Sequence, residues 1–223
     1  FAEEMEFYKF QQYFFTVQWE KLKKYANEKG IQIIGDIPIY VAFDSSDAWA
    51  NPQLFQFDEN CQPIAVAGCP PDAFSATGQL WGNPLYNWQQ MKAENFDWWT
   101  ERVSYAKKLY DIVRIDHFIG FERYYAIPYG DKVARNGSWR QGPSFDLFGE
   151  IIKRTGKGGI IAEDLGIITP AVRRLLKRTG YPGMKVLQFA FDPEGKSEYM
   201  PQNYANTNCT VYTSTHDSDT VAG

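Results

Sequence analysis

Three acidic residues of this 223-residue chain each follow a short apolar run directly: Asp116 after 112–115, Glu163 after 159–162 and Asp217 after 211–216. If the runs are strands of a parallel barrel, their carboxyl ends meet on one face, and acids far apart in sequence share a pocket. Retaining cleavage of an acetal needs two carboxyl groups about 5 to 5.5 Å apart, one as nucleophile and one as proton donor. The three acids therefore indicate chemistry on sugar bonds.

We expect Asp116 to be the nucleophile and Glu163 the proton donor. Arg114 lies two residues before Asp116, so on a strand the two side chains share a face and the guanidinium can keep the carboxylate ionised. Glu163 follows apolar residues, and an apolar setting raises the pKa of a carboxyl group until it can act as an acid. Asp217, with His216 beside it, would bind substrate hydroxyls. Each run taken alone also fits a buried strand that enters a loop, so the interpretation depends on all three together.

Helices and strands alternate along the chain. Four helices are predicted, and the first is long and amphipathic, with apolar residues at helical spacing. Short apolar runs predict five buried strands. The predicted helices span 3–29, 97–110, 144–156 and 170–179, and the predicted strands span 31–36, 112–115, 159–162, 184–191 and 209–213. Gly30 and Gly180 stand where helices usually end, and Thr169 with Pro170 begins the last helix.

This alternation predicts an α/β fold with a parallel sheet. We expect a (β/α)8 barrel of the TIM type, present as a partial barrel with about five of its eight strands. Residues 1–223 then form the central part of a catalytic barrel domain, and the flanking strands lie outside the chain. Between 37 and 96 periodicity fails and prolines interrupt, which predicts a long loop or subdomain insertion. A loop of that length usually serves as a lid or a binding surface.

Composition argues against several function classes. The net charge is only −4 and no block of Lys and Arg occurs, so we expect no nucleic acid partner, because phosphate binding needs clustered positive charge. No run of about 18 apolar residues occurs, so we expect no membrane association. Cys61, Cys69 and Cys209 are odd in number and scattered, which favours reduced thiols and a cytoplasmic location. Aromatic residues make up 17% of the chain, and rings that the core does not need can stack on sugars.

Metal-dependent hydrolysis is a second chemistry that these acids could serve. Residues 116–117, 163–164 and 216–217 each combine a carboxylate with another potential ligand. The chain has only two His residues, however, and no His or Cys cluster with the spacing of metal ligands. We therefore predict neither a metal nor another cofactor.

The motifs around the acids resemble those of the 4-alpha-glucanotransferases, also called amylomaltases or disproportionating enzymes, of glycoside hydrolase family 77 in the alpha-amylase clan. The resemblance runs across nearly the whole chain in the family's order. The resembling segments are GDIPIYVAFDSSDAWANPQLF from Gly35, PPDAFSATGQLWGNPLYNW from Pro70, VRIDHFIGFERYYAIP from Val113, IIAEDLGIITP from Ile160, GYPGMKVLQFAF from Gly180 and VYTSTHDSDT from Val211.

The resemblance implies glycosyl transfer between alpha-1,4-glucans such as maltooligosaccharides, by a retaining double displacement. In the family, the Asp of RIDHF is the nucleophile, the Glu of AEDLG the acid and base, and the Asp of THD the transition-state stabiliser. Here these are Asp116, Glu163 and Asp217. The implied substrate contacts are Arg114, His117 and His216 in the donor subsite, Asp72, Gln79 and Trp81 in a loop that closes over the glucan, and Asp36 near the donor sugar. We expect a monomer or a weak oligomer.

Two other activities stay open. A retaining alpha-glucan hydrolase of the same clan uses the same three acids, with water in place of the sugar acceptor. A non-catalytic fragment could bind glucan through Trp81, Trp88 and neighbouring rings without turnover. The aromatic loop over 70–88 favours transfer, because a closing lid excludes water while a sugar acceptor enters.

Overall fold

The structure, a computed structural model, describes residues 1–72, 75–191, 196–216 and 218–220, so Asp217 lies outside the described residues. The described part of the chain contains six α-helices: Ala2–Glu28 (α1), Ser46–Ala50 (α2), Trp88–Ala93 (α3), Asp97–Leu109 (α4), Phe145–Thr155 (α5) and Pro170–Thr179 (α6). It contains nine strands: Ile34–Ile37 (β1), Ala65–Cys69 (β2), Gln79–Pro84 (β3), Ile112–Ile115 (β4), Arg123–Pro128 (β5), Ser138–Gln141 (β6), Ile160–Ala162 (β7), Gly183–Val186 (β8) and Cys209–Tyr212 (β9).

The strands form three sheets. β1, β4 and β7 make a parallel sheet in that order, and β8 pairs in parallel with β9. The third sheet is antiparallel and has the order β3, β2, β5, β6. The Ala162 N–H donates to the carbonyl of Pro182, 2.9 Å away, so the end of β7 adjoins the start of β8. Parallel strands separated by helices confirm the predicted α/β fold. One predicted strand is too long: β8 ends at Val186, and a 3₁₀ turn over Leu187–Ala190 follows.

Helix α4 covers one face of the parallel sheet. Its buried residues include Trp99, Val103 and Ala106, the apolar face that the sequence predicts. Val113 and Ile115 of β4 are buried, and Arg114 between them is half-buried. Because successive side chains of a strand point to opposite faces, Arg114 lies on the face away from Val113 and Ile115. The fold thus separates an apolar layer under the helices from a polar face across the strands.

The predicted helix ends are confirmed. At the end of α1, Gly30 has a φ of +75°, its N–H donates to Asn27 O, and the Ile31 N–H donates to Ala26 O. This left-handed glycine cap satisfies the last helical carbonyls. At the start of α6, the Thr169 hydroxyl accepts a hydrogen bond of 3.3 Å from the Val172 N–H. Pro170 at the first helical position needs no such bond, because it has no N–H.

The apolar face of α1 departs from the prediction. Phe10 is 56% exposed and Phe14 46% exposed, and none of the helix's residues is buried. The C-terminal half of the helix is the part that contacts α4: the Trp19 Nε1 donates to Leu109 O and the Lys23 Nζ to Lys108 O. Of the predicted apolar face, Leu22 and Tyr25 are also more than half exposed, so helical spacing did not identify the face of α1 that packs.

The range 37–96 contains more regular structure than the sequence suggested. Helices α2 and α3 and strands β2 and β3 all lie in it. β2 pairs with β3 on one side and with β5, from outside this range, on the other. The expectation of loops is therefore corrected. Its physical reason is that β2 pairs with β5, about 60 residues further along the chain, and β3 is added at the other side of β2, which local periodicity does not reveal.

Candidate active site

Arg114 holds two carboxylates together. In the parallel pairing of β1 with β4, Asp36 lies opposite Arg114. The Arg114 Nη1 is 2.7 Å from Asp36 Oδ1, and its Nη2 is 2.8 Å from Asp116 Oδ1. The third nitrogen, Nε, donates to the Met184 sulfur at 3.4 Å. Burial opposes the charge of Arg114, but the hydrogen bond and charge of Asp36, and then the charge of Asp116, raise its pKa overall.

Asp116 lies at the carboxyl end of the parallel strands. It follows β4 directly, and its N–H donates to Ile37 O, the last residue of β1, at 3.0 Å. Its side chain is 37% exposed, so it is open to a ligand. The Arg114 bond fixes one carboxylate oxygen. The predicted nucleophile is thus oriented and accessible.

Glu163 lies beside it, directly after β7. Its backbone N–H donates to Ile115 O at 2.9 Å, and only 7% of the residue is exposed. One carboxylate oxygen accepts the His117 N–H at 2.7 Å, and the other accepts the Leu165 N–H at 2.8 Å. Because His117 directly follows Asp116, these bonds bring the two predicted catalytic acids into one cluster.

Burial dominates the ionisation of Glu163. It raises the pKa of the carboxyl from 4.5 to about 7, with a further contribution from the negative charge of Asp116. The hydrogen bonds from the Leu165 and His117 N–H groups, and the charge of Arg114, act in the opposite direction. A carboxyl group with a pKa near neutrality can both donate and accept a proton, as acid and base catalysis requires.

His117 is held in a left-handed conformation with a φ of 48°. Its ring stands edge-on to Trp81, at a centroid distance of 4.9 Å and an angle of 87°. Burial lowers the pKa of the imidazole to about 4, so the ring is neutral near neutral pH. A neutral imidazole can donate a hydrogen bond to a sugar hydroxyl from one nitrogen and accept from the other.

Strand β3 places two further predicted residues together. The Trp81 indole N–H donates to Gln79 Oε1 at 3.0 Å, and the ring of Tyr40 lies 6.3 Å from that of Trp81. Asp72 accepts the Ser75 N–H at 2.8 Å. Burial, followed by the charges of Asp72 and Glu163, raises the pKa of the Cys69 thiol to about 11. The negative charges of Asp72 and Glu163 therefore both act on the Cys69 thiol.

A cavity of about 320 Å³ opens next to Arg114. It brings together three predicted residues, Asp36, Arg114 and His216. Its other lining residues are Ile34, Gly35, Met184, Tyr212, Ser214 and Thr215. The end of β9 thus faces β1 and β4 across a space large enough for part of a sugar chain.

A family model for the 4-alpha-glucanotransferases matches residues 1–223. The chain belongs to the 4-alpha-glucanotransferase family. Within it, the chain is 54% identical over 222 residues to the 4-alpha-glucanotransferase of Clostridium butyricum, covering 99% of this chain and 45% of that protein. It is 53% identical to the enzyme of that name from Streptococcus pneumoniae, covering 100% of this chain and 44% of that protein.

The fold of this chain also matches that of a solved structure. The amylomaltase from Streptococcus agalactiae in complex with acarbose superimposes with a TM-score of 0.94 at 49% sequence identity. The match covers 97% of this chain and 44% of that chain. The chain thus spans less than half the length of the relatives that it matches.

The structure adds two features of the candidate site that sequence reasoning missed. Met184 contacts Arg114 but has the sequence signature of an ordinary buried strand residue. The N–H groups of His117 and Leu165 hold Glu163, but main-chain donors carry no side-chain signal. Neither feature could be found from residue types and spacing.

Clusters of metal ligands and membrane-spanning helices are both absent from the part of the chain that the structure describes. No group of three or more His, Cys, Asp or Glu side chains there is arranged to hold a metal ion. None of the helices described there is long and apolar enough to cross a membrane. The absence of a metal or other cofactor stays a prediction.

Proposed function

We propose that this chain carries the catalytic centre of a 4-alpha-glucanotransferase, which transfers glucosyl segments between alpha-1,4-glucans by a retaining double displacement. One observation carries the proposal: Asp116, oriented by Arg114, lies next to an enclosed Glu163 whose pKa is about 7. A retaining glycosidic reaction needs this pair of a charged nucleophile and a proton donor. The names of the curated relatives and the acarbose bound to the structural neighbour agree with a glucan substrate.

In the first half of the reaction, Asp116 attacks the anomeric carbon while Glu163 protonates the departing glycosidic oxygen. In the second half, Glu163 removes the proton from the 4-hydroxyl of an acceptor glucan, and that oxygen displaces Asp116. When Glu163 is protonated, one of its oxygens becomes a donor, and its bond from a main-chain N–H weakens. Asp217 binds hydroxyls of the distorted sugar and stabilises the transition state of each step.

The remaining residues bind the substrate. Asp36, Arg114, His117 and His216 contact the donor sugar, and Asp72, Gln79 and Trp81 close over the glucan. Two observations support this division: Asp36, Arg114 and His216 line one cavity, and the Trp81 ring contacts His117. Water competes with the acceptor hydroxyl, so an aromatic cover over the site favours transfer.

The proposed fold is a partial (β/α)8 barrel. The order β1, β4, β7 and the bond from Ala162 to Pro182 are consistent with five consecutive barrel strands. Residues 1–223 would form the central part of the catalytic domain, with 37–96 as an insertion. The free thiols of Cys61, Cys69 and Cys209 agree with a cytoplasmic location, and the protein acts as a monomer or a weak oligomer.

Incubation of the full-length gene product with maltotriose tests the reaction. Transfer predicts glucose together with a ladder of longer maltooligosaccharides. Release of glucose and maltose alone would identify a hydrolase and contradict the proposal. Binding of maltooligosaccharide without any turnover would identify a non-catalytic binder.

A trapping experiment tests the two acids. A maltosyl fluoride with the 4-hydroxyl removed reacts without an acid catalyst and cannot serve as an acceptor. The Glu163→Gln variant should accumulate an adduct on the peptide that contains Asp116, detected by mass spectrometry. Asp116→Asn should form none, and an adduct on any other residue would contradict the assignment.

A further inference from the structure

Met184 of β8 forms hydrogen bonds with two residues that neighbour the proposed catalytic acids. Its sulfur accepts the Arg114 Nε–H at 3.4 Å, and Arg114 in turn bonds Asp116. Its backbone N–H donates to Asp164 Oδ1 at 2.7 Å, and Asp164 directly follows Glu163. The residue is 4% exposed. Met184 thus connects two neighbourhoods that the sequence keeps about 50 residues apart.

The backbone contact determines where the sulfur lies. Asp164 is buried, and a hydrogen bond to a buried carboxylate is stronger than one at the surface. A Cβ atom at position 183 would come 2.7 Å from the Asp164 carboxylate oxygens, so Gly183 is what allows this close approach. β8 is therefore anchored at Met184 to the segment that carries Glu163.

The sulfur supplies the remaining acceptor for Arg114. The two carboxylates that bind the guanidinium are partly open to water, with Asp36 49% exposed and Asp116 37% exposed. Ion pairs of that exposure contribute little stability, because water competes for both partners. Met184, which carries the sulfur, is only 4% exposed, and the contact between the sulfur and the guanidinium is partly buried. It therefore limits the rotation that would turn Nη2 away from Asp116.

We propose that Met184 is a positioning residue, which sets the plane of the Arg114 guanidinium and through it the orientation of Asp116. The role in catalysis rests on the proposed function, whereas the contact with Arg114 does not. Leucine has nearly the volume of methionine but no acceptor atom, so Met184→Leu removes the sulfur with little change in packing. Met91→Leu is the matched control, because Met91 is buried in the core at 1% exposure.

The contact is tested on the chain itself by NMR with labelled arginine. The Arg114 Nε–H signal is assigned with an Arg114→Lys variant. We expect Met184→Leu to speed exchange of that proton with water about tenfold, and Met91→Leu to leave it unchanged. Met184→Gln, which offers an oxygen acceptor, should keep the proton protected and serves also if the leucine variant folds poorly. Equal exchange in the two leucine variants would overturn the proposal.

The catalytic consequence is tested on the full-length gene product. Met184→Leu should lower kcat about tenfold with KM nearly unchanged, because a misplaced nucleophile slows the chemical step more than binding. In an Arg114→Lys background, which lacks the Nε donor, the same substitution should have no further effect. An equal loss in both backgrounds shows that Met184 acts by packing and contradicts the proposal. If the wild-type protein shows no glucan transfer, the proposed function is wrong, but the NMR experiment still tests the contact between Met184 and Arg114.

Discussion

Asp116 and Glu163 have the same functional group in different surroundings. Asp116 is partly exposed and bonded by a guanidinium, whereas Glu163 is enclosed and bonded by two main-chain N–H groups. A site that performs nucleophilic attack and proton transfer together needs such a difference between its carboxyl groups. The sequence predicted both acids because each follows an apolar strand, and their catalytic roles stay a proposal. It could not give the pKa of Glu163, because the burial that raises this pKa comes from residues distant in the chain.

Glu163 also makes stability depend on pH. Its pKa rises from 4.5 to about 7 on folding, so between these values the folded chain retains a proton that the unfolded chain has released. Stability attributable to Glu163 therefore falls as pH rises through that window. Relative to Glu163→Gln, the wild-type free energy of unfolding should drop by about 3 kcal/mol from about pH 4 to about pH 8. Denaturant unfolding of both proteins across this range measures the change.

Comparing wild type with Glu163→Gln cancels contributions to the free energy of unfolding that do not depend on pH. Gln loses one acceptor for the main-chain N–H groups, but that cost is the same at every pH. Glu59→Gln, at an exposed position, controls for the change of side chain. A difference between wild type and Glu163→Gln that stays constant with pH would contradict the raised pKa.

At the scale of elements, β1 depends on a close approach to the end of α4. A Cβ atom at Gly35 would overlap the ring of Tyr110, which packs in turn against Trp19 of α1. Gly35 thus lets β1 lie against that ring while the next residue, Asp36, reaches Arg114. The same glycine serves the packing of the strand and the placement of a site residue.

Gly35→Ala should therefore destabilise the chain. Overpacking of this kind costs about 1–3 kcal/mol, because the ring and the strand must move apart. Gly158→Ala is the matched control, since no atom lies within 4 Å of a Cβ added there, and it should change stability by less than about 0.5 kcal/mol. Denaturant midpoints of the two variants give the comparison. Equal midpoints would show that the Tyr110 ring adapts without cost.

The elements also show which parts of the fold a sequence reveals. The five parallel strands were predictable because each is a short run of mostly apolar residues. Strands β2 and β3 were missed because Ala65–Cys69 and Gln79–Pro84 lack clear alternation, and because β2 pairs with the distant β5 and β3 pairs with β2. Motif order placed Asp36, Arg114 and Asp116 in one site, but the register that sets Asp36 opposite Arg114 appears only in the folded chain.

At the scale of the whole molecule, the predicted site draws on residues from both ends of the chain. Asp36 comes from β1 and His216 from beyond β9, and they line one cavity. The chain does this while spanning less than half the length of its relatives. Its surface nevertheless differs from that of a typical monomer, because α1 presents apolar rings to solvent. The group comprises Phe7, Tyr8, Phe10, Tyr13, Phe14 and Phe15.

These rings should make the 223-residue chain associate weakly with itself as its concentration rises. Phe10 and Phe14 lie one helical turn apart with ring centroids 4.5 Å from each other, and exposed apolar patches of this kind promote protein contacts. Replacing both with Glu should return the chain to a monomer in sedimentation velocity. Gln11→Glu with Gln18→Glu adds the same charge at exposed positions of α1 and should leave the association unchanged. If both double variants become monomeric, net charge rather than the apolar face controls the association. If the wild type stays monomeric at every concentration, the chain does not associate and the prediction is wrong.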